Sequence, residues 1–217
     1  MDGVSFRVRP GSVHALVGEN GAGKSTLMKI LAGVILPDAG TIILNGSARR
    51  FDRPGDSLAA GISMIYQELG LAGDLSVAEN IFLGREPSGR LGWAVDFGAM
   101  RKRAGALFDR LGFSIDPDAR VGDLSAADAQ MVEIAKALAR EASIIVMDEP
   151  TSSLSASEAR KLLATVRSLR DRGIAVVYIS HRLEEVAQVA DDCVAGGRAD
   201  SVEVAGAGGA GGIAFGR

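Results

Sequence analysis

The sequence predicts an α/β fold in which helices cover a largely parallel sheet. Two continuous apolar runs, residues 144–147 and 174–179, have the length and composition of strands that are buried on both faces. A helical pattern separates them, and parallel strands require such crossover connections. The 217 residues, 47% of them hydrophobic, are enough for one sizeable domain with its own core.

Strands and turns alternate in the N-terminal part of the chain. Residues 3–9 alternate apolar and polar side chains, as a half-buried strand does. Residues 41–44 form a second strand, and Asn45-Gly46 after it is a typical hairpin turn. We therefore expect an N-terminal antiparallel β part, followed by a further strand over residues 62–66.

The most informative stretch is Gly18-Glu19-Asn20-Gly21-Ala22-Gly23-Lys24-Ser25-Thr26, which matches G-x-x-x-x-G-K-[ST] at every required position. A predicted strand over residues 13–17 precedes it, and an amphipathic helix that stops at Gly33 follows it. Backbone N–H groups of such a loop and helix start bind phosphate oxygens. Lys24 would reach the β- and γ-phosphates, and the Ser25 hydroxyl would bind Mg²⁺. Residues 18–26 therefore predict a P-loop nucleoside triphosphatase core.

The pattern between about residue 75 and residue 140 is mainly helical, with loops at 84–98 and 116–118. Ser125 is placed to cap a helix, and the negative charge of Asp128 interacts favourably with the positive N-terminal end of the same helix dipole. Residues 158–171 form a further helix. Residues 193–217 are rich in glycine and alanine, and we expect a disordered tail there.

Polar residues follow several predicted strands. Asp148 and Glu149 end one strand, while Gln67 and His181 follow two others, and parallel strand ends meet at one sheet edge. Asp148 is placed to hold Mg²⁺, and Glu149 to orient or deprotonate an attacking water. Taken alone, Gln67 is equally well interpreted as a loop residue and His181 as a helix cap. His14, inside a strand, is interpreted as an ordinary core residue.

Composition limits the partners and sites that can be expected. The net charge of −3 argues against a nucleic-acid partner held by a basic surface, and the basic run at 101–103 is interpreted as a solvated helix face. The single cysteine, Cys193, excludes an internal disulfide, and one cysteine with two histidines makes no Cys/His metal cluster. The apolar runs are too short to span a bilayer, so any membrane role is expected to need a partner.

The order of the motifs resembles the ATPase subunits of ABC transporters over residues 1–192. After the P-loop come Tyr66-Gln67-Glu68 as the Q-loop, Leu124-Ser125 opening a signature-like helix, Asp148-Glu149-Pro150-Thr151 as Walker B, Ser152-Ser153-Leu154-Ser155 as the D-loop, and His181 as the switch histidine. Residues 76–86, 130–138 and 179–183 are similar to the first half of the tandem ATPases of monosaccharide importers of the ribose, xylose and galactose type.

This resemblance implies a RecA-like ATP-binding domain over residues 1–192, with an inserted helical subdomain at about 68–140. It implies that Gln67 senses Mg²⁺ and the γ-phosphate, that His181 contacts the γ-phosphate, and that Ser125 serves a nucleotide on the opposite half of a head-to-tail pair. The implied activity is ATP hydrolysis with Mg²⁺, coupled to sugar import at the cytoplasmic face of the membrane. The implied partners are a second ATPase half or a second copy, transmembrane permease subunits and, indirectly, a periplasmic sugar-binding protein.

The chain departs from the family pattern at three places. Ala127 stands where the signature has glycine, and Ala129 where glutamine is frequent, so we expect slower hydrolysis at the composite site. The chain starts inside the first strand, without the aromatic that stacks on adenine, and ends in the Gly/Ala-rich segment. We expect weaker base binding and a truncated or frame-shifted product. Two alternatives stay open: a regulatory or truncated half with little turnover, and a soluble ABC ATPase outside transport.

Overall fold

The computed structural model describes residues 6–18, 23–89, 94–196 and 213–216. The chain divides into a first unit, Met1–Gln67, Ala142–Pro150 and Leu163–Arg217, and a second unit, Glu68–Glu141 and Thr151–Leu162. The helical subdomain expected at about residues 68–140 falls within the second unit. None of the helices in the described ranges has the length and hydrophobicity that crossing a bilayer requires.

The strands, in chain order, are β1 (Arg7–Val8), β2 (Val13–Gly18), β3 (Thr41–Leu44), β4 (Ser47–Arg49), β5 (Ile62–Ile65), β6 (Ile144–Asp148), β7 (Ala175–Ile179), β8 (Asp192–Gly196) and β9 (Ile213–Gly216). The helices are α1 (Lys24–Leu31), α2 (Pro54–Ala59), α3 (Val77–Phe82), α4 (Phe97–Leu111), α5 (Ala126–Ala139), α6 (Ala156–Asp171) and α7 (Leu183–Val189). A short 3-10 turn lies at Val121–Asp123.

A parallel sheet of five strands in the order β5-β6-β7-β2-β8 forms the centre of the first unit. The β6 and β7 strands lie inside it, and all five residues of β7 are buried. This burial explains why both strands read as continuous apolar runs. The predicted α/β class with a largely parallel sheet is confirmed.

The second sheet of this unit is antiparallel, in the order β1-β9-β3-β4. The predicted hairpin is confirmed, because Asn45 and Gly46 both adopt positive φ, 52° and 75°, between β3 and β4. The predicted strand over residues 3–9 is shorter, since only Arg7–Val8 is a strand and residues 1–5 lie outside the described residues.

Two strands lie in the segment 193–217, for which we expected disorder. The β8 strand pairs with β2, and β9 lies between β1 and β3, so the expectation is wrong for residues 193–196 and 213–216. The physical reason is that the edge of a sheet presents unpaired backbone N–H and C=O groups, and a segment with weak strand propensity can still pair with them. Residues 197–212 and 217 lie outside the described residues.

The α1 helix packs its apolar face, including Leu27, Met28 and Leu31, into the core of the first unit. Gly33 follows the helix with φ 68°, and its N–H donates to the Ile30 carbonyl oxygen at 3.0 Å. This is the left-handed terminator that the sequence predicted. The α2 helix was not predicted, because a stretch of six residues is too short to show a helical period. The α7 helix was anticipated only through the interpretation of His181 as a helix cap, and its N-cap is Arg182.

The second unit is built on α3, α4 and α5, which pack on one another. Ser76 and Glu79 form a reciprocal capping box at the start of α3. The Asn80 side chain is fully buried, and it accepts from the Ala72 N–H at 2.8 Å and donates to the Ala72 carbonyl oxygen at 3.0 Å. These bonds tie the loop before α3 to the helix.

Candidate nucleotide-binding site

The P-loop connects the end of β2 to the start of α1. Gly18 is the last residue of β2, and Gly23 is the N-cap of α1 with φ 85°. A glycine N-cap has no side chain to occupy the first N–H groups of the helix, so this helix start suits an anion. The Ser25 and Thr26 side chains in the first turn are exposed. Glu19, Asn20, Gly21 and Ala22 were also predicted to bind nucleotide, and they lie outside the described residues.

The Lys24 side chain reaches back to the end of β2. Its side chain is buried, and Nζ donates a hydrogen bond to the Gly18 carbonyl oxygen at 2.6 Å. This bond holds the ammonium group at the end of β2. A lysine held in this way presents a fixed positive charge close to the start of α1, where we predict that phosphate binds.

Asp148 is the last residue of β6, and its position at the sheet edge is as predicted. Burial raises the pKa of its carboxyl group, and the neighbouring charge of Glu149 raises it further, while the Lys24 ammonium opposes both. The Lys24 and Asp148 side chains are therefore close enough to interact electrostatically. A half-buried carboxylate beside a second carboxylate is chemically suited to a hard divalent cation with oxygen ligands.

Glu149 has an unusual backbone conformation. Its φ is 44°, in the left-handed region, and its N–H donates to the Ile179 carbonyl oxygen of β7 at 3.0 Å. The left-handed region costs about 1–2 kcal/mol for a residue with a Cβ. The surrounding sheet must impose this conformation, and such strain concentrates at functional sites.

His181 meets Glu149 at this edge. The distance from His181 Nδ1 to Glu149 Oε1 is 3.0 Å, with the His181 side chain 58% exposed and that of Glu149 19% exposed. The two residues are 32 positions apart in the chain. The sequence placed both at strand ends, and the structure brings them into direct contact.

Gln67 lies at the same edge, two residues after β5. Ile65 pairs with Met147 and Asp148 with Ile179 in the sheet register, which aligns the C-terminal ends of β5, β6 and β7. The Gln67 side chain is exposed. Its predicted catalytic and metal-binding roles stay predictions.

Ser125 belongs to the second unit, where it is the N-cap of α5. Its hydroxyl oxygen accepts from the Asp128 N–H at 3.1 Å, and its hydroxyl donates to Asp128 Oδ2 at 2.8 Å. The predicted capping role is therefore confirmed. Its predicted contact with a nucleotide on a partner half stays a prediction.

Two further residues at the edge were not singled out from the sequence. Tyr66 is 42% exposed, and its partial burial raises the pKa of its hydroxyl, with a further rise from the charge of Asp148. Its position directly before Gln67 is the sequence feature that could have identified it. Ser180 is buried, and its hydroxyl oxygen accepts the Arg182 N–H at 3.0 Å. A serine that fixes a turn in this way leaves no recognisable pattern in the sequence.

The profile of a family described as ABC transporter matches residues 1–152. This chain belongs to the ABC transporter family. The ribose import ATP-binding protein RbsA of Chelativorans sp. is 58% identical over 188 residues, which cover 87% of this chain and 36% of that protein. A putative ribose/galactose/methyl galactoside import ATP-binding protein of Hahella chejuensis is 50% identical, over 88% of this chain and 37% of that protein. The chain thus spans about a third of the length of these curated relatives.

Solved structures of ABC transporter cassettes share the fold. A nucleotide-free ATP-binding cassette from an ABC transporter superposes with a TM-score of 0.79 at 27% identity, covering 90% of this chain and 80% of that chain. A cassette in its ADP conformation superposes with a TM-score of 0.78 at 28% identity, over 90% of this chain and 80% of that chain. The fold and the family assignment therefore agree.

Proposed function

We propose that this chain is the ATP-binding part of an ABC importer and couples ATP hydrolysis to sugar uptake through a separate permease. The contact between Glu149 and His181, beside Asp148 and Lys24, is the observation that carries the proposal. Support for the transport role comes from the relatives, which are named as ribose or galactose import proteins.

The P-loop side of the site binds the phosphates. N–H groups at the start of α1 and the Lys24 ammonium hold the β- and γ-phosphate oxygens in place. The Ser25 hydroxyl and the Asp148 carboxylate, with Gln67 at the same edge, would hold Mg²⁺, which supplies positive charge to the phosphates when it is bound. The oxygen chemistry of these side chains fits that ion.

Glu149 and His181 act on the side of the γ-phosphate away from the leaving group. Glu149 orients the attacking water and accepts its proton as the new P–O bond forms and the bond to the β-phosphate oxygen breaks. His181 Nδ1 is engaged with Glu149, which leaves Nε2 as the ring nitrogen for a γ-phosphate oxygen, to which it donates when both ring nitrogens carry a proton. The exposed ring can make this contact without rearranging the core.

Partner subunits complete the proposed transporter. Ser125 and the first turn of α5 would contact the nucleotide of a second ATPase half or a second copy. The permease would hold the chain at the cytoplasmic face of the membrane, and a periplasmic protein would deliver the sugar to that permease.

The test is steady-state ATP hydrolysis, with and without the permease and a partner half. Glu149→Gln is expected to lower kcat by at least about a hundredfold, because general base catalysis contributes about 10²–10⁴. ATP affinity is expected to stay unchanged. Turnover that survives this substitution removes Glu149 from the reaction, and equal turnover without the permease favours an ABC ATPase outside transport.

A second candidate, a nucleotide-binding half with little turnover, is favoured by Ala127. This residue occupies the second position of α5, where the family signature has glycine. Its methyl group would lie where a partner's γ-phosphate approaches the backbone. If this candidate is correct, Ala127→Gly raises the ATPase rate of a reconstituted pair. An unchanged rate would mean that Ala127 does not slow hydrolysis.

A further inference from the structure

Glu185 is a buried carboxylate on α7 that the proposed reaction does not use. The residue is 7% exposed. Its Oε2 accepts from the Tyr178 hydroxyl at 2.8 Å, and its Oε1 accepts from the Arg182 guanidinium at 2.9 Å. Burying a carboxylate is costly unless both oxygens are paired, so the pairing is itself a constraint on the local structure.

Tyr178 provides a rigid anchor for this carboxylate. It lies in β7, is fully buried, and pairs in register with Ala15 of β2 and Met147 of β6. The hydrogen bond from Tyr178 therefore ties α7 to the middle of the parallel sheet. The bond joins residues seven positions apart, on either side of His181.

The two neighbours of His181 are both held. The Ser180 N–H donates to the Leu16 carbonyl oxygen at 3.4 Å, and the Ser180 hydroxyl oxygen accepts the Arg182 N–H at 3.0 Å. Arg182 is held in turn by Glu185, both through its guanidinium and through the bond from the Glu185 N–H to the Arg182 carbonyl oxygen at 3.1 Å. His181 itself is mostly exposed, so little packing holds its ring.

We propose that Glu185 is a positioning residue for His181. It fixes Arg182 and the start of α7 against β7, and this keeps His181 Nδ1 within hydrogen-bonding distance of Glu149. The positioning itself depends only on the structure, while its effect on hydrolysis rests on the proposed function. Glu185 does not touch the reacting groups.

The two histidines of the chain make the test direct, because His14 serves as an internal reference in an NMR spectrum of ring ¹³C–¹H signals. Glu185→Gln keeps the shape of the side chain and removes its charge. We expect it to move the His181 ring signal toward the position seen in Glu149→Gln, with the His14 signal unchanged. The matched control Glu184→Gln, at the exposed neighbouring residue, should leave both signals in place.

Tyr178→Phe removes one hydrogen bond to the carboxylate, and it provides the same readout if Glu185→Gln does not fold. In ATPase assays kcat should fall between about tenfold and a hundredfold with KM unchanged, as for a small misplacement of a reacting group. In the His181→Ala background, Glu185→Gln should lower kcat no further. A His181 signal that is unchanged in both Glu185→Gln and Tyr178→Phe overturns the positioning role. A shifted signal without any ATPase activity instead rejects the proposed function alone.

Discussion

Replacing Gly33 by alanine tests how the α1 helix is terminated. Gly33 has φ 68°, and a Cβ there would lie 2.6 Å from the carbonyl oxygen and 2.8 Å from the carbonyl carbon of Arg53. These are backbone atoms, so they cannot move aside as the end of a side chain can. The left-handed conformation costs about 1–2 kcal/mol, and forced overpacking costs about 1–3 kcal/mol more. After a gain of about 0.4–1 kcal/mol from the less flexible unfolded chain, we expect Gly33→Ala to lower the free energy of unfolding by about 1–4.5 kcal/mol.

Gly46→Ala is the matched control, because it shares the backbone conformation but not the crowding. Its φ is 75°, and no atom of the described residues outside its immediate neighbours lies within 4 Å of the added Cβ. Its free energy of unfolding should fall only by the cost of the left-handed conformation, about 1–2 kcal/mol. The less flexible unfolded chain offsets this cost by about 0.4–1 kcal/mol in both variants.

Urea unfolding followed by circular dichroism measures both variants under one condition. With an m-value of about 2 kcal/mol/M, the midpoint of Gly33→Ala should lie about 0.5–1.5 M below that of Gly46→Ala. Equal midpoints for the two variants would refute the reasoning, because the crowding around Gly33 would then contribute nothing.

Two further predictions concern titratable groups. Burial lowers the pKa of His14, whose Nε2 accepts the Arg9 N–H at 2.9 Å, so the unfolded chain binds this proton more strongly than the folded chain. The contribution of neutral His14 to the free energy of unfolding should be fully present above the unfolded pKa of about 6.5 and should be lost as the pH falls below it. Urea midpoints of His14→Gln should no longer show this dependence on pH. Asp148→Asn should weaken ATP binding about tenfold in the presence of Mg²⁺ but not without it, by fluorescence titration. An equal loss under both conditions would mean that Asp148 does not hold the ion.

Local sequence signals predicted the elements on either side of the P-loop. The strand before the glycine loop, the helix that starts at Lys24, the hairpin at Asn45-Gly46 and the cap at Ser125 all appear where their residues indicated. Each depends on residues within a few positions of one another. Backbone freedom, hydrophobic period and side-chain caps act at that range, so they can be read from the chain directly.

Contacts between distant segments could not be predicted in the same way. The contact of Glu149 with His181 needs the β6-β7 register and the left-handed backbone at Glu149. The Tyr178–Glu185 bond likewise depends on where α7 lies against β7. Neither leaves a periodic signal in the sequence, since each arises only when separate elements are packed together.

The segment 193–217 shows most clearly the difference between what local sequence predicts and what long-range pairing decides. Its composition indicated disorder, yet β8 extends the parallel sheet beside β2 and β9 fills the gap between β1 and β3. The amino-acid sequence by itself determined the class of fold, the P-loop and the acidic and histidine groups at the strand ends. Only the tertiary structure decided the strand order, the pairing of the tail and the contact between Glu149 and His181, because sheet hydrogen bonds join backbone groups of residues that are distant in the chain.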